Sequence, residues 1–337
     1  MGQATRLRIA SYNVRYFGHA FRGLGSSRLS KYRIALALAS LNPLPDVICL
    51  QEVETRSLRS RVGRPPSHPE ETQLESFMAT FERACRTRGK PFPFQALYFR
   101  AHQYRLGQLP LYTTGLAVLV NGDTLRVERH NALAPETITH HHVARWKDTK
   151  QSRICAHLRV HDREGRPLHV FNTHLSLATP FARDFWASRD KLGFGPNQVE
   201  EAKRLSTFVR SRVGEEPFVV TGDFNSSPGS PVYRHLTEEA GFTGAQAALG
   251  LIDESVRRGF PTAGFLHLRM HLDHLFSGNG IRWVDLDGTF PFGQGPFHGL
   301  SDHMPLIGRF ELSEAAPRRD DAELVSPREM DDAGAAG

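Results

Sequence analysis

The sequence has few cysteines and no long apolar run. Its three cysteines, Cys49, Cys85 and Cys155, are odd in number and widely spaced, so they indicate neither a disulfide framework nor a zinc site. We therefore expect a reducing, cytoplasmic compartment. No stretch approaches the roughly 20 apolar residues that span a bilayer, and no apolar segment of signal-peptide type precedes the first predicted strand.

Charge is distributed unevenly along the 337 residues. The formal net charge is +6, but residues 313–337 hold seven acidic residues and three arginines, which leaves +10 for residues 1–312. A basic body suits an anionic partner such as nucleic acid, phospholipid or a phosphorylated small molecule, without choosing among them. The acidic, Ala-rich end predicts a disordered tail over 313–337, after one domain over 1–312.

Strand-like and helix-like segments alternate through this domain. Short runs rich in apolar and β-branched residues predict strands, and apolar residues at helical spacing predict helices. The predicted strands cover residues 7–14, 46–53, 92–99, 114–120, 153–160, 168–172, 218–221, 272–276, 281–286 and 306–312, and the predicted helices cover 29–41, 71–88, 196–212 and 231–240. Several successive strands have no helix between them, so the pattern predicts an α/β fold with mixed sheets.

The stretch from Phe218 to Gly229 ends a predicted strand with polar residues. An apolar run breaks at Gly222 and is followed by Asp223 and Asn225. Strand alternation would place these two side chains on one side, where a carboxylate and an amide can hold a metal-bound water or a phosphate. Alone, the segment is equally compatible with a strand followed by a turn that a side chain caps.

Polar residues follow other predicted strands in the same way. With the pair above, the set is Asn13, Glu52, His174, Asp223, Asn225, Asp273, Asp302 and His303. Oxygen donors without thiolates suit a hard cation such as Mg²⁺, and histidines exchange protons near neutral pH. Hydrolysis of a phosphoester needs both a bound cation and groups that take and give protons. Because Asp302 and His303 are adjacent and would point apart, we expect Asp273 to orient His303.

Six short motifs then indicate a family. They are Ser11-Tyr-Asn13-Val, Leu50-Gln-Glu52-Val, Asn172-Thr-His174-Leu, Gly222-Asp223-Phe-Asn225, Leu272-Asp273-His and Ser301-Asp302-His303-Met-Pro. In this order they resemble the endonuclease/exonuclease/phosphatase superfamily, which has the deoxyribonuclease I-like or exonuclease III-like fold. The resemblance implies a four-layer α/β sandwich: two mixed β-sheets packed face to face with helices outside, and the site at one end.

The resemblance also implies a divalent metal. Glu52 would be the main ligand, with Asn13 and Asp302 close by. We expect Mg²⁺, with Mn²⁺ able to substitute. Arg15 stands shortly after the first motif Asn, as in deoxyribonuclease-like members, and would place a cation near a substrate phosphate.

The resemblance further implies that five residues carry out the reaction. Asp223 would position or deprotonate the attacking water, and Asn225 would bind the phosphate. His303, paired with Asp273, would act as a base or contact the phosphate. His174 would hold the transition state or protonate the leaving group. The division of acid and base roles varies between members of the superfamily.

Three functions are compatible with this set of residues. We favour a monomeric, divalent-metal-dependent phosphodiester hydrolase that acts as a nuclease on DNA or RNA. The aromatic insertion over 181–195 leaves open a sphingomyelinase-like phospholipid phosphodiesterase or a small-molecule phosphatase. The inositol-phosphatase signature of Trp-Cys-Asp-Arg type is absent around Asp273. A binding protein without activity is disfavoured, because the acidic and histidine residues of the motifs are intact.

Overall fold

A computed structural model gives the structure of the protein. It describes residues 5–17, 28–53, 72–106, 109–140, 152–177, 192–252, 261–265 and 268–312. The predicted tail over 313–337 lies outside these residues and stays a prediction. Within the described ranges, no helix is long and apolar enough to cross a membrane, and all three cysteines are buried and unbonded.

Two large sheets organise the described chain. The first has the strand order β14-β15-β1-β2-β4-β3, and the second has the order β10-β13-β9-β8-β7-β5 with β6 also paired to β7. Their strands are β1 Thr5–Asn13, β2 Val47–Val53, β3 Phe94–Leu106, β4 Leu109–Asn121, β5 Arg126–His130, β6 Glu136–Thr137, β7 Ile154–His161, β8 Pro167–His174, β9 Phe218–Asp223, β10 Thr243–Gly244, β13 Asp273–Gly278, β14 Ile281–Asp285 and β15 Leu306–Leu312. A separate hairpin pairs β11 Ala263–Phe265 with β12 Leu268–Met270.

The helices are α1 Arg28–Ser40, α2 Gln73–Thr87, α3 Pro196–Val213, α4 Pro231–Arg234 and α5 Ala245–Ala248. Two side chains at the start of α2 show why it begins there: Thr72 caps its first turn by accepting from the Glu75 N–H, and the Glu75 carboxylate accepts from the Thr72 N–H in return. A π-helical turn, His235–Glu239, continues α4.

Strand alternation produces the layers. In β2, Val47 and Cys49 face the core between the two sheets, whereas Ile48 and Leu50 belong to a second core beneath α1 and α2. The second sheet behaves likewise: Val219 faces the inner core, and its neighbours in β9 pack under α3. The result is helix, sheet, sheet, helix, which confirms the predicted four-layer sandwich.

The site lies where the strands of both sheets end. β1 runs parallel to β2, and β8 runs parallel to β9, with His174 opposite Asp223. β13 is antiparallel to β9, so its first residue, Asp273, also stands opposite Asp223. One edge of the sandwich therefore collects polar side chains that are far apart in the sequence.

Candidate active site

Two residues near the ends of buried strands adopt left-handed backbone conformations. Glu52 has φ 54° and Asn225 has φ 49°. Glu52 sits where the pairing register of β2 with β4 shifts, between Leu50 and Val53. A bulge of this kind re-aims a side chain next to a site, and a positive φ in a non-glycine residue is unfavourable unless the surroundings hold it. The bulge therefore re-aims the Glu52 carboxylate before pairing resumes at Val53.

Asp223 is held by two hydrogen bonds and by the glycine before it. The Asn13 Nδ2 donates to Asp223 Oδ2 at 3.0 Å, and the Asn225 backbone N–H donates to Asp223 Oδ1 at 3.0 Å. At Gly222, with φ 152°, an added Cβ would lie 2.1 Å from the Thr173 carbonyl oxygen. Only glycine lets β8 and β9 approach this closely beside the carboxylate.

Asp223 and Asn225 come together for a reason that differs from the prediction. The strand ends at Asp223, so alternation does not relate the two residues, and that part of the expectation is wrong. Instead the chain turns, and the Asn225 Nδ2 donates to the Leu175 carbonyl at 3.0 Å. The same Nδ2 lies 3.2 Å from His174 Nε2. The turn thus joins Asn225 to the end of β8.

His303 pairs with Asp273 as the sequence predicts. The His303 Nδ1 lies 2.8 Å from Asp273 Oδ2, and both side chains are buried. Its other ring nitrogen, Nε2, lies 3.7 Å from Asp223 Oδ2. Burial alone would lower the pKa of His303, but Asp273 and Asp223 outweigh burial and raise it well above the ordinary value. The two carboxylates therefore favour the protonated imidazole.

His174 is in the opposite state. Its Nε2 lies 3.5 Å from Asp223 Oδ2 and 4.0 Å from Glu52 Oε1. Burial lowers the pKa of His174 well below the usual range, and the positive charges of Arg153 and His303 add to this shift. Burial raises the pKa of Asp223 to about 7, with His303 opposing. One carboxylate oxygen therefore lies between a charged and a neutral imidazole.

Glu52 and Asp302 form the group that fits a hard cation. Burial raises the pKa of Glu52, and the neighbouring charge of Asp302 raises it further. Both carboxylates remain accessible, with side chains 20% and 26% exposed. Asn13 stands beside them, although its Oδ1 already accepts from the Arg15 N–H at 3.0 Å. Two close carboxylates and an amide oxygen are donors that Mg²⁺ or Mn²⁺ accepts.

A second cluster lies deeper. Ligand atoms of Asp223, Asp273 and His303 come within 4.8 Å of one another, and Asp273 Oδ1 is buried without a hydrogen-bond partner among the described residues. A protonated imidazole offers no lone pair to a metal. Because the surroundings favour that state of His303, the Glu52–Asp302 pair fits a cation better.

Arg15 does not stand free at the site. Its Nη1 lies 2.6 Å from Asp302 Oδ2. Seven of the other predicted site residues each contact at least one other member of this set: Asn13, Glu52, His174, Asp223, Asn225, Asp273 and His303. Asp302 contacts Arg15 instead, and its charge raises the pKa of Glu52. Their individual roles stay predictions.

Comparison with known proteins decides the relationship. Residues 10–303 match the Endonuclease/Exonuclease/phosphatase family. The chain belongs to this family. The family's description names enzymes that cleave phosphoester bonds.

Solved structures share the fold at low sequence identity. The human Nocturnin catalytic domain with bound sulfate is 17% identical, with a TM-score of 0.57 over 91% of this chain and 95% of that one. A family protein from Bacteroides vulgatus is 16% identical, with a TM-score of 0.59 over 92% and 100%. ANGEL2, described as a 2′,3′-cyclic phosphatase, is 15% identical, with a TM-score of 0.58 over 92% and 96%. A search of curated proteins gives no match.

Two buried amides that sequence reasoning assigned no role join the two sheets of this family fold. The Gln51 Nε2 donates to Asn172 Oδ1 at 2.7 Å and lies 3.1 Å from Ser11 Oγ. The Asn172 Nδ2 donates to the carbonyls of Leu50 and Ala117 at 3.1 and 3.2 Å. The link lies next to Glu52 and two residues before His174 in the chain. Both residues belong to the motifs quoted above, but the motifs do not predict which groups these amides bind.

Helix α3 also supports the site. The Gln198 Nε2 donates to the carbonyls of Ser176 and Asn225 at 2.6 and 3.0 Å. Glu201 accepts from the backbone N–H and the hydroxyl of Ser176 at 2.8 and 2.6 Å. These contacts tie together the loops that follow β8 and β9. The sequence does carry a signal for these contacts: Gln198 and Glu201 are polar residues at buried positions of an amphipathic helix.

Proposed function

We propose that this family member is a divalent-metal-dependent phosphodiester hydrolase whose substrate is nucleic acid, DNA or RNA. One observation carries the proposal: Asp223 Oδ2 lies 3.5 Å from the neutral His174 and 3.7 Å from the charged His303, beside the Glu52–Asp302 pair. A proton acceptor, a proton donor and a cation-binding pair converge on one point, as hydrolysis of a phosphoester requires.

Asp223 is the residue that we assign to the attacking water. Its carboxylate is fixed by Asn13 and by the Asn225 backbone N–H, so it can hold a water in one orientation and take its proton. Glu52 and Asp302, with Asn13 beside them, would hold the cation, whose charge offsets the negative charge that develops on the phosphoryl oxygens.

His303 is the proton donor in this proposal. Asp273 fixes its Nδ1 at 2.8 Å, which leaves Nε2 to donate to a phosphoryl or leaving oxygen. His174 is neutral, so we assign it to orienting Asn225, whose amide lies 3.2 Å away and would bind the phosphate. This division favours one of the alternatives that the family resemblance leaves open.

Charge supports a polyanionic substrate. Residues 1–312 carry a net +10, which attracts a nucleic-acid backbone over distances of about a Debye length. The phospholipid alternative depended on the aromatic insertion, and residues 178–191 lie outside the described part of the chain. ANGEL2, the 2′,3′-cyclic phosphatase of the comparison, makes nucleotide 2′,3′-cyclic phosphates a further substrate to assay.

The test is a cleavage assay with the full chain. End-labelled DNA and RNA, a nucleotide 2′,3′-cyclic phosphate and sphingomyelin vesicles are each incubated with Mg²⁺, with Mn²⁺ and with EDTA. We expect metal-dependent cleavage of nucleic acid that falls at least about 100-fold in Glu52→Gln and His303→Ala. Glu238→Gln and His130→Ala change exposed residues and serve as matched controls. No metal-dependent cleavage of DNA or RNA by the wild type would overturn the proposal.

A further inference from the structure

Arg15, the cation that the family resemblance assigns to the substrate phosphate, already has a partner. Its Nη1 lies 2.6 Å from Asp302 Oδ2, and its backbone N–H donates to Asn13 Oδ1. A guanidinium in contact with a carboxylate is largely neutralised there, so it attracts a further anion less strongly. Arg15 is therefore less available to a phosphate than the family resemblance implies.

Arg153 lies at the same end of the second sheet as His174. It directly precedes β7, in which Cys155 pairs with Thr173 of β8, so in this antiparallel register it comes level with Leu175, one residue beyond His174. Arg153 and His174 line one small cavity together with Thr114 and Ser152. The two residues therefore border the same space.

The backbone of Arg153 is hydrogen-bonded on both sides, whereas one donor of its guanidinium is not. The Arg153 N–H donates to Thr139 Oγ1 at 2.6 Å, and the Thr139 hydroxyl donates to the Arg153 carbonyl at 3.1 Å. The side-chain Nε–H, in contrast, is buried and has no hydrogen-bond partner among the described residues. A buried donor without a partner is unfavourable, and an anion that accepts from it removes that cost.

The charge of Arg153 is felt by its neighbours. It contributes to lowering the pKa of His174 and opposes the raised pKa of Glu52. These effects agree with the cavity that Arg153 and His174 line together. Asp223, Asp273 and the metal-binding pair would otherwise repel an incoming phosphate there.

We propose that Arg153 binds the phosphoryl group of the substrate, donating from its guanidinium to phosphoryl oxygens beside the contact that we assign to His303. This inference rests on the proposed function. A guanidinium presents a planar fork that matches two phosphate oxygens, and a half-buried one acts in a medium of low dielectric where each contact is stronger. The contact strengthens as charge builds up in the transition state.

The experiment compares Arg153→Met and Arg153→Lys with Arg126→Met, which removes an exposed arginine. Binding of inorganic phosphate is measured by calorimetry, kcat and KM on nucleic acid are measured with Mg²⁺, and urea unfolding monitors the fold. We expect Arg153→Met to weaken phosphate binding and to lower kcat/KM by about 10- to 100-fold, the range for a charged hydrogen bond. Arg153→Lys should recover part of both, and the urea midpoint and Arg126→Met should match the wild type.

Each failure has its own signature. If the wild type cleaves nucleic acid but Arg153→Met binds phosphate and turns over normally, this inference is wrong and the proposed function stands. If the wild type cleaves none of the substrates while phosphate binding still depends on Arg153, the proposed function is wrong and the anion site stands. A wild type that binds no phosphate, or a larger loss of phosphate binding in Arg15→Met than in Arg153→Met, also overturns the assignment.

Discussion

Replacing Asn172 by Ala tests whether the amide link between the sheets stabilises the fold and the site. Asn172 is fully buried and makes three side-chain hydrogen bonds: it accepts from the Gln51 Nε2 and donates to the carbonyls of Leu50 and Ala117. Alanine removes all three. Gln51 keeps its contact with Ser11, but the two carbonyls lose a donor in a place that water does not reach.

The magnitude follows from these contacts. Three buried hydrogen bonds at a net value of about 1 kcal/mol each amount to about 3 kcal/mol, and two carbonyls left without this donor add up to about 2 kcal/mol more. A loss of about 3–5 kcal/mol is large against a typical total of about 5–15 kcal/mol. We expect the variant to fold without denaturant and to unfold at a clearly lower urea concentration.

Equilibrium urea unfolding, followed by far-UV circular dichroism, measures the loss. Gln95→Ala is the matched control, because it removes an exposed amide from β3 and should change the free energy of unfolding by less than about 0.5 kcal/mol. Nucleic-acid cleavage is measured in parallel without urea. If Asn172→Ala costs less than about 1 kcal/mol, the link does not stabilise the sandwich and this reasoning is refuted.

Two further variants test other parts of the fold. Gly222→Ala should destabilise the fold by more than about 2 kcal/mol and abolish cleavage, because its Cβ would lie 2.1 Å from the Thr173 carbonyl oxygen. The control is Gly165→Ala, at φ 79° with nothing near the added Cβ, which should cost only about 1 kcal/mol. Equal losses of stability in the two variants would contradict the steric reason. Burial lowers the pKa of His157 to about 3 from 6.5. Between these two pH values the unfolded chain binds more protons than the folded chain. The free energy of unfolding therefore falls as the pH drops from about 6.5 towards 3, by up to about 1.4 kcal/mol per pH unit. His157→Leu should therefore give urea midpoints with a shallower dependence between pH 7 and 5, and an unchanged slope would show that this imidazole is not kept neutral.

The sequence predicts the fold wherever a strand is buried. β15 was predicted with its observed bounds, 306–312, and β1 and β9 within two residues, because alternating or continuous apolar runs mark strands that contact a core. β5 was missed, since four of its five residues are exposed and its sequence, Arg-Val-Glu-Arg-His, has one apolar residue. β6 and β10 have only two residues each, too few to show a period. β3 and β4 extend beyond the predicted 92–99 and 114–120.

The site was predictable to the extent that it is built from strand ends. A polar residue after a buried strand can be assigned to one edge of the sheet even when its contacts are unknown. For this reason the sequence identifies Glu52 and Asp223 as site residues. Arg153 and Gln198 could not be found in this way. Arg153 looked like the first residue of a strand, and Gln198 like one polar residue in a helix. Their importance comes from contacts with residues that are distant in the chain, and no local pattern records such contacts.

The two sheets contribute different halves of the site, and this explains why polar links cross between them. Glu52 and Asn13 come from the first sheet, and His174 and Asp223 come from the second. The apolar core between the sheets is non-directional and would tolerate a small sliding movement. Directional bonds do not: Asn13 to Asp223 and Gln51 to Asn172 join one sheet to the other, and His303 to Asp273 joins the segment before β15 to the second sheet.

A sliding movement of 1 Å would separate the cation-binding pair from the carboxylate that we assign to the attacking water, and misplacement on that scale costs about 100-fold in rate. The three links should therefore be coupled. Breaking Gln51–Asn172 should lower cleavage even at urea concentrations where the chain remains folded, and combining Asn172→Ala with Asn13→Ala should reduce the free energy of unfolding by an amount that departs from the sum of the single losses. Strict additivity would show that each link acts alone and that the core, not the polar bonds, sets the register of the two sheets.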